Sequence, residues 1–180
     1  MAIYESNPTP AGAAPFSSPC PEPKKRKRIM TGNNFTVLLA EDNHHDIAAI
    51  KRVWKKQKLT NPLHIVRDGE ECLDYLYHRG RYADSRQAPA PGVLLLDIRM
   101  PKMDGFTVLE RIRKDKKLCM LRVIIFTSLQ EEAYKIRSYR LGASAYIVKS
   151  AGTENLSETI NAISLFWRLV ELPDGLNEYN

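Results

Sequence analysis

Asp97 closes the apolar run Gly92-Val93-Leu94-Leu95-Leu96 and precedes the loop Ile98-Arg99-Met100-Pro101-Lys102-Met103-Asp104-Gly105. Three other apolar runs end in comparable groups. Glu41 and Asp42 follow Phe35 to Ala40, Thr127 follows Arg122 to Phe126, and Lys149 follows Ala145 to Val148. If the three carboxylates converge, their mutual repulsion is costly unless a cation is present. Oxygen ligands with room for water suit Mg²⁺, a hard octahedral ion. Thr127 then offers a hydroxyl donor and Lys149 a fixed positive charge. Such a set stabilises a phosphoryl group in transit. Each residue alone has an ordinary use: Glu41, Asp42 or Asp97 as a cap or turn former, Thr127 in a turn, Lys149 as a surface charge. Their placement at the ends of four apolar runs is what points to chemistry.

The elements that must position them follow from periodicity. Four consecutive apolar residues between Gly92 and a Pro/Gly-punctuated loop read as a strand buried on both faces. Strands are expected over 35–40, 62–66, 92–97, 122–126 and 145–148. Between them, helical spacing predicts helices from His45 to Gln57, from Asp68 through Tyr77, from Phe106 to about Lys114 and from Glu131 to Arg140, with a last helix over 153–170. Arg79 to Pro91 reads as a long polar loop. Strict alternation of strand and helix implies parallel strands, right-handed crossovers and helices on both faces. The expected fold class is therefore α/β, a doubly wound parallel sheet, whose ligands sit at the carboxyl ends of the strands.

Composition narrows the function classes. The 180 residues suit one domain with some tail, and no apolar run approaches the length of a membrane span. Residues 1–28 hold six of the eleven prolines and end in the basic run Lys24-Lys25-Arg26-Lys27-Arg28. This composition suits a disordered tail, and the basic run fits nuclear import, polyanion binding or simple solvation. The net charge is +6, of which +3 lies in residues 1–29, so the remainder is only mildly basic for a nucleic-acid-binding domain. Cys20, Cys72 and Cys119 share no metal-ligand spacing and suggest reduced thiols in a cytoplasmic setting. The expected organisation is a tail over 1–30, a domain over 31–173 and a short tail over 174–180. With no second domain expected, a DNA-binding domain and a membrane anchor are expected to be absent.

Four motifs carry a family resemblance. Leu39-Ala40-Glu41-Asp42-Asn43, Leu94 through Gly105, Phe126-Thr127-Ser128, and Leu141-Gly142-Ala143 with Tyr146-Ile147-Val148-Lys149 resemble a response-regulator receiver domain. The resemblance spans about residues 35–170. It implies a flavodoxin-like sheet of order 2-1-3-4-5 and names Asp97 as phosphoacceptor. It also implies Mg²⁺ held by Asp42, Asp97 and the main-chain carbonyl of Arg99, with Glu41 nearby or acting through water. Thr127 and Lys149 would contact the phosphoryl group, and Tyr146 matches the aromatic switch residue. The partner implied is a histidine kinase.

Three positions depart from the family pattern or vary within it. Ser150 stands where receivers usually have proline. Arg99 and Leu129 flank the path of an attacking water, and a bulky cation with an apolar side chain there should lengthen the phosphorylated state. A narrower resemblance, in Glu70 through Tyr77, Arg81-Tyr82 and Phe166 through Pro173, is to the small stand-alone regulators that partner phytochrome-type histidine kinases. Phe166 and Trp167 are adjacent and cannot share one core stripe, which leaves one for a partner or a second copy. Output is then expected through protein contacts, including a homodimer, on the face of the fourth helix, fifth strand and fifth helix. The alternative is a scaffold receiver that docks a kinase without being phosphorylated, supported by Ser150. An aspartate-nucleophile phosphatase would want a second acid where Arg99 stands. A nucleotide-binding role lacks its Gly-rich loop after the first strand.

Overall fold

The computed structural model describes residues 35–149 and 156–163. Five strands, β1 (Thr36–Ala40), β2 (Leu63–Val66), β3 (Pro91–Leu96), β4 (Arg122–Thr127) and β5 (Ala145–Val148), form one parallel sheet in the order β2-β1-β3-β4-β5. Four helices connect them: α1 (His44–Lys56), α2 (Gly69–Leu76), α3 (Gly105–Lys114) and α4 (Glu132–Arg140). A fifth, α5, is helical over 156–163. The doubly wound α/β class and the 2-1-3-4-5 order are those expected from the sequence.

Side chains of each strand alternate between two cores, as period-2 backbone geometry requires. Leu38, Ala40, Leu94, Leu96, Val123 and Ile125 face the layer that includes Leu73, Leu76, Leu109 and Ile112 of α2 and α3. Val37, Leu39, Val93, Leu95, Ile124 and Phe126 face Ile50 and Val53 of α1 and Leu156 and Ile160 of α5. Burial on both faces is why the central strands read as unbroken apolar runs rather than as alternating ones.

Local chemistry sets the helix starts beside the strand ends. Asn43 caps α1, its side chain accepting from the His45 amide at 2.9 Å. Asp104 caps α3 in the same way, accepting from Thr107 N at 2.7 Å. Each side-chain oxygen satisfies an amide that the first helical turn leaves unpaired.

Differences from the sequence reading are small at element ends and larger in one loop. The third strand stops at Leu96, one residue before Asp97, although Asp97 N still donates to Ala40 O at 3.0 Å. Arg79 to Pro91 is not simply a polar loop. It contains a 3₁₀ turn over Gly80–Tyr82, and Tyr82 packs edge-on to Tyr75 while its hydroxyl donates to Glu71 at 2.6 Å. Cys72 is a buried free thiol, and Cys20 lies outside the described residues. Both expected tails, Ser150, Phe166 and Trp167 lie outside the described residues.

Candidate functional site at the carboxyl ends of the strands

β1 and β3 are neighbours in the sheet, so their carboxyl ends bring Glu41, Asp42 and Asp97 together. One carboxylate oxygen from each lies within 4.8 Å of the others. Glu41 is 1% exposed and Asp97 7%, whereas Asp42 is open to solvent. Two buried acids and one open one make a cluster that water and a ligand can still reach.

Lys149 supplies the opposing charge from the end of β5. Its ammonium donates to Glu41 Oε2 and, at 3.1 Å, to Asp46 Oδ2, and lies 3.6 Å from Asp97 Oδ2. Burial alone would push this lysine's pKa down. The charges of Asp97 and Glu41, with the hydrogen bonds to Glu41 and Asp46, hold it above its ordinary value instead. Glu41 is pushed up to about 7, first by burial, with repulsion from Asp97 adding and Lys149 opposing. One lysine faces the carboxylates of Glu41, Asp46 and Asp97, with Asp42 beside them, so the pocket holds more negative than positive charge.

Asp97 Oδ1 is buried and has no hydrogen-bond partner. An unpaired buried carboxylate oxygen is unfavourable by roughly 1–3 kcal/mol or more. The orphaned oxygen, two further carboxylates at coordinating distance and an all-oxygen donor set fit a hard divalent cation.

Thr127, 1% exposed, ends β4 beside β3, and its Oγ1 lies 3.5 Å from the Leu129 amide that donates to it. Lys149 N donates to Thr127 O at 2.7 Å, which joins the two strand ends. Tyr146, half-buried on β5, donates its hydroxyl to Leu129 O at 3.0 Å. Arg99 is exposed in the loop after β3 and lines a cavity of about 570 Å³ with Phe106, Leu129, Tyr134 and Arg137. The sequence reading missed Asp46. It sits in the first turn of α1, where an acid ordinarily serves the helix dipole, and only the fold brings it to Lys149.

The family model for the response regulator receiver domain matches residues 37–161. The chain belongs to that family. Among characterised relatives, the response regulator Rcp1 of Synechocystis sp. is 33% identical over 138 residues, covering 76% of this chain and 92% of Rcp1. The crystal structure of the Mn²⁺-bound form of Rcp1 superposes with a TM-score of 0.70, over 77% of this chain and 99% of that one. The phosphorylated cyanobacterial phytochrome response regulator RcpA gives 0.72 at 33% identity, covering 78% of this receiver and 99% of RcpA. Response regulator RPA3017, from red light signalling of R. palustris, gives 0.73 at 36% identity, covering 77% and 97%. No helix among the described residues of the receiver is long and apolar enough to cross a membrane.

Proposed function

We propose that this receiver takes a phosphoryl group from a histidine kinase onto Asp97 and signals through protein contacts. The observation that carries the reading is the orphaned Oδ1 of Asp97 in a carboxylate cluster faced by Lys149. The carboxylate of Asp97 attacks phosphorus, an O–P bond forms, and the donor's N–P bond breaks. Asp42, Asp97 and the Arg99 carbonyl would hold Mg²⁺, with Glu41 beside them or acting through water. When bound, the ion neutralises charge on the phosphoryl oxygens and on the crowded acids.

Lys149 is fixed by Glu41 and Asp46 so that its charge stands beside Asp97 before any donor arrives, which is electrostatic preorganisation. Thr127 sits one strand away with a hydroxyl free to turn toward phosphoryl oxygens. The new group carries roughly −1.5 to −2 charge and three acceptor oxygens, enough to rebias the β4–α4 loop. Tyr146, which holds that loop through Leu129, is the switch residue in this reading.

A phytochrome-type kinase is the partner that the similarity to Rcp1, RcpA and RPA3017 supports. A cytoplasmic setting and a homodimer through α4, β5 and α5 go with it. Ile136 and Tyr139 are exposed on α4, at 44% and 56%, and offer that face apolar surface. Incubation with an autophosphorylated phytochrome-type kinase and Mg²⁺ tests the reading. Phosphate should pass to the wild-type chain and not to Asp97→Asn; absence of transfer to both contradicts it.

A further inference from the structure

Asp68 and Lys102 lie 34 positions apart in sequence and in different loops, yet Lys102 Nζ donates to Asp68 Oδ2 at 2.7 Å. An exposed ion pair by itself contributes little to stability. This one differs at its carboxylate end. Asp68 is 7% exposed, and both of its oxygens are engaged: Oδ1 caps α2 by accepting from Glu71 N at 2.7 Å, and Oδ2 takes Lys102. Lys102 itself has φ +61, a left-handed conformation that a side-chain-bearing residue adopts at some cost. Its ammonium is held above its ordinary pKa, chiefly by the hydrogen bond to Asp68.

The loop between β3 and α3 is tied at its base as well. Gly105 N donates to Ile98 O at 2.9 Å, and a Cβ on Gly105 would stand 2.1 Å from Asp97 O. The β2–α2 turn presses on the same loop, since a Cβ on Gly69 would meet Met103 O at 2.3 Å. Arg99 lies between these ties, two residues after the phosphoacceptor.

We propose that Asp68 and Lys102 are positioning residues that brace the β3–α3 loop so that the Arg99 carbonyl can serve a divalent cation at Glu41, Asp42 and Asp97. The proposal rests on the metal reading above. Neither residue touches the ion; each acts through the loop. Partners that orient metal ligands typically account for 10- to 100-fold in affinity, and a brace acting on one carbonyl should account for less.

The test is calorimetric titration of the unphosphorylated full chain with MgCl₂ in wild type, Lys102→Ala, Asp68→Asn and the double variant. Asp68→Asn keeps the oxygen that caps α2 but loses the charge that holds Lys102. Each single variant should bind Mg²⁺ roughly 3- to 10-fold more weakly. The double variant should lose no more than either single one, because both break the same contact. Lys102→Arg should recover most of the affinity, which a general loss of stability would not allow. Single variants within twofold of wild type, or additive losses in the double, overturn the brace. A wild-type chain that takes up no Mg²⁺ overturns the metal reading, and the brace falls with it.

Discussion

Tyr146 donates its hydroxyl to the main-chain carbonyl of Leu129 at 3.0 Å, which ties β5 to the loop that follows Thr127. Leu129 N in turn points at Thr127 Oγ1, 3.5 Å away. One residue therefore links Tyr146, the proposed switch residue, to the Thr127 hydroxyl proposed to meet the phosphoryl group. Anything that draws Thr127 toward Asp97 pulls on the segment that Tyr146 holds.

Removing that hydroxyl should loosen the loop without unfolding the sheet. Tyr146→Phe loses one hydrogen bond, worth about 1 kcal/mol, so amides of residues 128–131 should exchange roughly fivefold faster. Hydrogen exchange read by mass spectrometry checks this. Unchanged protection across those residues would show that the bond does not hold the loop.

Lys149 carries the charge balance of the site. Lys149→Met keeps the volume but leaves buried Glu41 and Asp97 without their cation, and should lower stability in urea by about 3 kcal/mol when Mg²⁺ is absent. Millimolar Mg²⁺ should restore more stability to this variant than it adds to wild type, because the ion replaces the missing charge. A variant as stable as wild type without Mg²⁺ would mean that the ion pairs contribute nothing.

Arg99 and Leu129 line the same cavity, and on the sequence-based expectation both flank the path of a water attacking phosphorylated Asp97. Arg99 is exposed, whereas Leu129 is 6% exposed and held by its carbonyl, so Arg99 is the one of the two that can be exchanged without repacking. Arg99→Asn should shorten the life of the phosphorylated state by roughly threefold or more, a change of about 0.7 kcal/mol in the barrier. Decay followed after removal of the phosphodonor checks it; equal or slower decay in the variant sinks the idea.

The sheet was legible because Val37 to Ala40, Val93 to Leu96 and Val123 to Phe126 are buried on both faces, which leaves an apolar run that needs no partner to recognise. The strand-end residues were legible for the same reason, since a parallel sheet puts all carboxyl ends on one side. What escaped the sequence are contacts set by tertiary placement. Asp46 meets Lys149 across 103 positions, and Lys102 meets Asp68 across 34. Tyr82 reads as a loop residue, yet it packs on Tyr75 and bonds Glu71 because the chain folds back over α2. No local pattern encodes these pairs; each needs the fold first.

In the proposed function Asp97 is a metal-assisted phosphoacceptor. Incubation with acetyl phosphate and Mg²⁺, followed by intact mass measurement of wild type and Asp97→Asn, tests it most directly. Wild type should gain one phosphoryl group, the variant none, and chelation of the metal should abolish the gain. Equal masses before and after treatment in wild type, or a gain in Asp97→Asn, would contradict the account.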